Sequence, residues 1–466
     1  MRAGTVRFAM LIVLALTVHG TLRAHGNEPI HVHPDNPHYF EYRGRPTVLI
    51  TSGEHYGAVL NQDFDYETYL AELEKHDLNL TRTFAGTYAE SWGEGWNTLN
   101  PAAGRFITPW ARSDSSGYAD GGNKFDLSEW NPRYFRRLRD FLSEARDRGV
   151  MVELVLFCVM YGDSQWQLCP MNARNNINGI GDVGRKEFFD MENDKLIRAQ
   201  VRVARKIARE VKDFDNVYLE LCNEPYFANG PELGDPWNDR MVEAIRSVTD
   251  DHMIALNVAN NWQKVEKVPE GISLLNFHYC RPPKVVDMNY GLDCPIAYDE
   301  SGFKGPGAAN YRRYAWDFVV AGGAVFSNLD YTFTVDSPQG QSRAADPDRG
   351  CQEPAIRPQL GVLKDFIESF DFVKMKPADD IIQGSPEEAS VQVLAEKGHQ
   401  YAVYVKGGTE ARLQLTLPAG TYSVEWIVPR TGQGAREKTL KHNGGAAALN
   451  VSQSDSGMAL RILRQK

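Results

Sequence analysis

After its first two dozen residues, the 466-residue sequence has no apolar run approaching the ~18 residues of a membrane span. It also has little positive charge to spare. With 51 Lys and Arg against 61 Asp and Glu, the formal net charge is −10, the wrong sign for a nucleic-acid or anionic-membrane partner. No strand-like segment is followed by G-x-G-x-x-G or by G-x-x-x-x-G-K-[ST], so a dinucleotide or P-loop fold has no support. A G-x-S-x-G elbow is missing, which counts against a serine hydrolase. The six cysteines (158, 169, 222, 280, 294 and 351) form no C-x-x-C pair, leaving no structural zinc or thiol-redox motif. Cys158 and Cys222, inside apolar runs, read as buried free thiols, whereas Cys280 and Cys294 flank one loop and are a candidate bridge.

What is present begins with a leader. Arg2 and Arg7, an apolar stretch from Phe8 to Val18 and small residues near Ala24 have the order of a cleaved secretory signal peptide over 1–24. The expected location is therefore secreted or periplasmic. At 42% hydrophobic residues, the remaining chain can bury a large core.

Eight short, near-continuously apolar segments follow: Pro46–Gly53, Leu78–Gly86, Val150–Cys158, Asn216–Glu224, His252–Ala259, Ile272–Tyr279, Pro295–Ser301 and Ala324–Asp330. Runs of this kind are strands covered on both faces. Amphipathic segments separate them, among them Asp65–His76, Pro132–Arg148, Asp194–Phe214, Asp235–Val248 and Gly307–Ala321, with Pro358–Phe370 after the last strand. Pro132 suits a first helical turn, and Gly149 suits the position just past a helix end. Eight strands alternating with helices predict an α/β fold, a (β/α)₈ TIM barrel over 46–375, with a degenerate helix in the proline-rich sixth connection. Residues 25–45 predict a small β cap. From 385 to 466 the texture changes to short strands and glycine turns, predicting a small all-β sandwich.

A barrel of this type places its site at the C-terminal strand ends. Polar groups a plain core would not want occur there: Glu54, His55 and Tyr56 after the first strand, Arg82 in the second, and Asn223-Glu224 ending the fourth. His278-Tyr279 end the sixth strand, Tyr298-Asp299-Glu300 the seventh, and Asn328 and Asp330 the eighth. Two carboxylic acids on opposite walls of one mouth are what glycoside hydrolysis requires, one protonated and one ionised. Arg82 would favour the ionised form of a neighbour.

On Leu221-Cys222-Asn223-Glu224-Pro225, Pro295-Ile296-Ala297-Tyr298-Asp299-Glu300-Ser301, Leu80-Thr81-Arg82 and His278, the chain resembles the clan A glycoside hydrolases over about residues 40–372. The family 5-like branch is the nearest in kind. The resemblance implies Glu224 as general acid/base, Glu300 as nucleophile, Asn223 as a sugar 2-hydroxyl contact, Arg82 beside the nucleophile and His278 as a substrate-facing histidine. His278-Tyr279 stands where the family has His-x-Tyr, and Tyr298 is a second candidate for the tyrosine that orients the nucleophile. Tyr42-Arg43-Gly44-Arg45-Pro46 and Trp426-Ile427-Val428-Pro429-Arg430-Thr431-Gly432 also look like the apiosidase-like group, which carries a small β domain after its barrel.

The expectation is thus a retaining glycoside hydrolase acting on a carbohydrate, without a cofactor or metal. Candidate substrate contacts are Arg82, Asn223, His278, Tyr298, Glu54, His55, Asp330 and Trp166. Trp92, Trp96, Trp110 and Trp262 are further rim aromatics that suit sugar stacking or loop packing. His31-Val32-His33 precedes the barrel and lacks the further histidines of a metal site. The alternative is a non-catalytic glycan-binding or adhesion protein on the same scaffold. Asn79 and Asn450 match N-x-[ST], but Asn79 falls within a predicted strand.

Overall fold

The computed structural model describes residues 28–465 apart from 55, 95–96, 344–349, 386–388, 408–410 and 452–456. The leader, His55 and Trp96 lie outside the described residues.

The eight expected strands form one parallel sheet: β1 Leu49–Gly53, β2 Leu80–Phe84, β3 Met151–Cys158, β4 Val217–Asn223, β5 Ile254–Asn260, β6 Leu274–His278, β7 Ile296–Ser301 and β8 Val325–Leu329. Seven of them are buried at every position, and only Asn260 at the end of β5 is partly exposed. Their order is β1-β8-β7-β6-β5-β4-β3-β2, so β1 and β2 are the two edges. Asn79 closes that seam. Its backbone N–H donates to Ile50 O (3.3 Å), its side-chain amide donates to Val48 O (2.8 Å) and its side-chain oxygen accepts from Ile50 N (2.9 Å). One asparagine thus supplies donors and acceptors that a strand would otherwise provide.

The helices obey local rules. Helix α1 spans Tyr66–Lys75, with Asp65 capping the Thr68 N–H. Helix α2 (Pro132–Asp147) starts where the Asn131 side chain caps two backbone N–H groups and Pro132 occupies the first turn. It buries Tyr134, Leu138, Phe141, Leu142 and Ala145 along one stripe. Gly149, at φ +71°, turns the chain out of α2 into β3. Helices α3 (Asp194–Val211), α4 (Pro236–Arg246), α5 (Lys284–Asn289), α6 (Ala308–Val320) and α7 (Ile356–Glu368) complete the ring, and α5 is the short sixth connection. Two loop elements were not foreseen. They are an antiparallel ribbon of Trp110–Ser116 with Asn123–Trp130 after β2, and a short helix, Asp163–Leu168, after β3.

Antiparallel strands 31–32, 40–42 and 45–47 form the expected cap. At the other end of the chain, strands from 376–377, 390–396, 400–406, 420–427, 434–442 and 458–464 make a six-stranded sheet, which faces a three-stranded sheet from 382–384, 411–417 and 445–451. Val393, Val403, Val424 and Leu460 of the first sheet share a core with Leu413, Leu415 and Leu449 of the second, so the fold is a TIM barrel followed by a β sandwich. The outer face of the larger sheet joins the barrel core through Leu394, Ala402, Tyr404, Ile427 and Ala459. Tyr404 packs on Trp316 of α6 at 5.5 Å between ring centres, and Lys406 pairs with the fully buried Asp317.

All six cysteines are buried free thiols, so the candidate Cys280–Cys294 bridge is absent and Cys158 and Cys222 are as expected. Asn79 is spent on the seam. No helix among the described residues is long and apolar enough to cross a membrane.

Candidate active site

The mouth of the barrel holds a cavity of about 230 Å³ walled by Glu224, Glu300, Asn223 and tyrosines 56, 88, 161, 279 and 331. Reaching it from β4 and β6 takes an unusual backbone. Neighbouring side chains on a strand point to opposite faces, yet Asn223 and Glu224 both serve the mouth, as do His278 and Tyr279. In each pair the second residue has left the strand into the left-handed region, Glu224 at φ +48° and Tyr279 at φ +46°. Non-glycine residues held there cost energy and gather at functional sites. This turn explains how Tyr279 does without the intervening residue of His-x-Tyr.

Glu300 accepts hydrogen bonds from Arg82 Nη1 (3.1 Å) and from the Tyr279 hydroxyl. Glu224 accepts from Tyr161 (2.5 Å) and Tyr226 (3.2 Å). His278 Nδ1 lies between the two acids, 3.3 Å from Glu224 and 3.4 Å from Glu300. One oxygen of each acid and a nitrogen of His278 all fall within 4.8 Å of one another. Asn223 accepts from Arg82 (2.6 Å) and donates to Tyr161 (2.8 Å), so Arg82 and Asn223 hold both acids in one network.

Beneath it is a layer of fully buried charge. Arg82 reaches Glu220 at 2.8 Å, Asp299 at 3.5 Å and Glu153 at 3.8 Å, and Asn276 donates towards Glu153, Glu220 and Asp299. Burial and the charges of Asp299 and Glu220 push the Glu153 carboxyl well up, and burial raises Glu220 as well, against the pull of Arg82. Burial alone would lower the His278 pKa, but Glu300, Asp299 and Glu224 raise it well above the usual range. Glu220, His278 and Asp299 form one cluster with metal-ligand spacing, and Glu224, His278 and Glu300 form another. Arg82 and Asn276 already donate into the first, supplying the positive charge a cation would bring.

With His278 charged, Glu224 lies below its usual range because that cation and two tyrosine bonds outweigh burial. Glu300 lies above its usual range through burial and the Glu224 charge, against His278 and Arg82. That order belongs to the site without substrate and is the reverse of what an acid at Glu224 needs. His278 lies at nearly the same reach of both acids, Arg82 touches Glu300 alone of the two, and the two acids and His278 titrate as one coupled set.

The other candidates fall away from the cavity. Glu54 accepts from the backbone N–H groups of Tyr56 and Gly57, both at 2.5 Å, and braces the turn after β1. Asp330 is buried against Arg357 (2.8 Å) and Ser52 (2.9 Å). Trp166 donates to Val183 O (3.1 Å) and packs on Phe188. Tyr298 is buried between Phe318 and Phe326, and Tyr279 is the tyrosine on Glu300. Asn172, Asn175 and Asn176 bond carbonyls of their own loop. His31 and His33 face Glu41 in the N-terminal cap. Sequence reasoning did not single out Tyr161, Tyr226, Glu153, Glu220 or Asn276. The two glutamates carried the same signal as Arg82, a charge inside an apolar strand.

Residues 95–285 match the family model described as cellulase, glycosyl hydrolase family 5. Among solved structures, one described as a glycoside hydrolase superposes with a TM-score of 0.64 at 13% identity, covering 95% of this chain and 98% of that one. A family 5 glycoside hydrolase from Bacteroides vulgatus ATCC 8482 gives 0.64 at 14% identity, covering 94% of each chain. A comparison with curated protein sequences finds no match. The solved structures share this chain's fold, and the family model covers residues 95–285, which include Asn223, Glu224 and His278.

Proposed function

We propose that the protein is a retaining glycoside hydrolase in which Glu224 is the general acid/base and Glu300 the nucleophile. The observation that carries this reading is the approach of the two carboxyls, within 4.8 Å at their nearer oxygens. Retaining enzymes keep their carboxyls ~5–5.5 Å apart, whereas inverting ones need ~6.5–9.5 Å to seat a water between them.

Glu224 gives its proton to the leaving oxygen as Glu300 attacks the anomeric carbon and forms a glycosyl-enzyme. Glu224 then takes a proton from water, which attacks the same carbon and releases Glu300. Arg82 and Tyr279 hold the Glu300 carboxylate in place and stabilise its charge as it leaves. Asn223 sits where a sugar hydroxyl would meet both acids. Tyr161 and Tyr226 fix the Glu224 carboxyl, which limits the reorientation its two roles require.

The test is product analysis by NMR on a panel of plant, algal and microbial glycans, run beside Glu300→Gln. Sugar released with retained anomeric configuration by the wild type only is the expected result. Inversion would remove Glu300 as nucleophile. Binding without release would leave a glycan-binding protein. We also infer export from residues 1–24, which N-terminal sequencing of the protein recovered from its native host checks directly.

A further inference from the structure

On the wall of the same cavity lies a third carboxylate, Glu90, which the reaction does not use. It stands on the loop after β2. Its oxygens accept from the Tyr88 hydroxyl (3.0 Å) and the Ser91 N–H (3.1 Å), and Gln165 of the short helix after β3 approaches at 3.4 Å. Ser91 and Ser164 join at 2.8 Å, so two loops from neighbouring strands are tied into one wall. Gln165 is itself held through its oxygen, which accepts from Gly162 N (2.9 Å) and Ser164 (3.1 Å). A half-buried carboxylate on a braced wall is a pure acceptor facing the space where a substrate sits.

Two further properties bound what can fill that space. At about 230 Å³ the cavity is below the ~300–1,000 Å³ of pockets that hold drug-sized ligands, which is room for one sugar ring and not for a chain of them. The residues lining it include three carboxylates and, among the described residues, no lysine, arginine or histidine. Arg82 and His278 lie behind Glu300 and Glu224 and are already engaged. Among the described residues of the lining, an anionic sugar would meet like charge with no cation to pair it. The exposed ring of Phe303, after β7, forms part of the cavity's lining, and that of Phe227, after β4, lies beyond it; both offer apolar faces to whatever projects from the mouth.

We propose that the cavity is a terminal-sugar pocket. It takes a single neutral monosaccharide unit from a chain end, and Glu90, supported by Tyr88 and Gln165, accepts hydrogen bonds from that unit's hydroxyls. This rests on the glycosidase reading above. With the anomeric carbon between Glu224 and Glu300, the far side of the ring faces Glu90, whose two oxygens match a pair of adjacent hydroxyls. The remainder of the substrate leaves past Phe227 and Phe303. The enzyme therefore trims chains from the end and does not cut within them.

The experiment uses the full chain with 4-nitrophenyl glycosides of neutral sugars, of uronic acids and of disaccharides, and with unmodified oligosaccharides whose products are followed by chromatography. Neutral monosaccharide as the first product, with uronides untouched, is expected. Glu90→Ala is expected to lower kcat/KM about 10- to 100-fold on the neutral monosaccharide glycoside, the range for losing hydrogen bonds to a charged group. The isosteric Glu90→Gln, which keeps the wall packed, should fall between the two, and thermal unfolding of each variant separates folding from recognition. Internal cleavage to oligosaccharides, turnover of uronides, or unchanged kcat/KM in both variants would overturn the pocket while leaving the glycosidase standing. If no glycoside is turned over, the glycosidase reading fails and calorimetry decides the pocket. A neutral monosaccharide bound by wild type and lost in Glu90→Ala upholds it, and no sugar bound at all overturns it.

Discussion

Under the cavity, one guanidinium has four carboxylates within 4 Å: Arg82 with Glu153, Glu220, Asp299 and Glu300. Where the sandwich packs on α6, one carboxylate, Asp317, meets one lysine, Lys406, among the rings of Trp316, Tyr404 and Phe366. Both places are buried, yet burial does opposite work in them. At the interface it removes apolar surface from water and stabilises the fold. Below the cavity it strips solvent from charges, which costs stability even when they are paired. The return there is a preorganised field around Glu300. Left-handed Glu224 and Tyr279 belong to the same region, adding backbone strain to desolvation. The molecule concentrates buried charge and strain where the proposed chemistry lies and its plain packing where it only holds together.

Substitutions should divide accordingly. The largest effect is expected from Glu300→Gln, a loss of about 10⁴–10⁶ in kcat/KM with little change in melting temperature. A variant that kept a tenth of wild-type turnover would show that the chemistry lies elsewhere. Next, Trp316→Ala at the interface should cost about 3–5 kcal/mol of stability in denaturant titration, while kcat of the folded enzyme holds. A parallel fall in kcat would join the two regions that the structure separates.

Asp317 sharpens the contrast through pH. Burial raises its pKa to about 6 despite Lys406, from an ordinary 3.8. A folded-state pKa above the unfolded one means that the folded chain binds the extra proton. This group's contribution is therefore intact below about pH 4 and is lost as pH rises through about 6, a change of about 3 kcal/mol. Asp317→Asn should flatten that part of the stability curve, measured as the difference from wild type between pH 4 and 7. An unchanged difference would show that Asp317 does not titrate in this window. The smallest effect is expected from Tyr279→Phe, which removes one hydrogen bond to Glu300 and should cost about 1.5–3 kcal/mol of transition-state stabilisation. Kinetics with a chromogenic substrate reads it, and equal activity would return the orienting role to another group.

The barrel was legible because parallel strands covered on both faces are mostly apolar, and β1 to β8 are buried runs of that kind. Their ends were legible for the converse reason, since Asn223, Glu224, His278 and Glu300 interrupt that apolar pattern. The same logic misled at Glu54 and Asp330, which also sit at strand ends. A carboxylate bonded to local N–H groups or to a distant arginine looks identical in sequence to one facing substrate. Arg357, the partner of Asp330, is 27 residues away in a helix. The ribbon of Trp110–Ser116 and Asn123–Trp130 was hidden by its polar composition, which carries no clean alternation. Between Tyr279 and Tyr298 the sequence could not choose, because which way Tyr279 points is set by a left-handed φ that a tyrosine does not advertise.

The seam at Asn79 bears on how the protein can be made. Asn79-Leu80-Thr81 satisfies the acceptor pattern for N-linked glycosylation, and the amide nitrogen that would carry the glycan is the one donating to Val48 O. In a eukaryotic secretory pathway, glycan attached to the emerging chain would take that nitrogen before β1 and β2 meet. The barrel would then have a bulky sugar wedged in its closing joint. Production in a host without this modification, or with Thr81 replaced, avoids that fate.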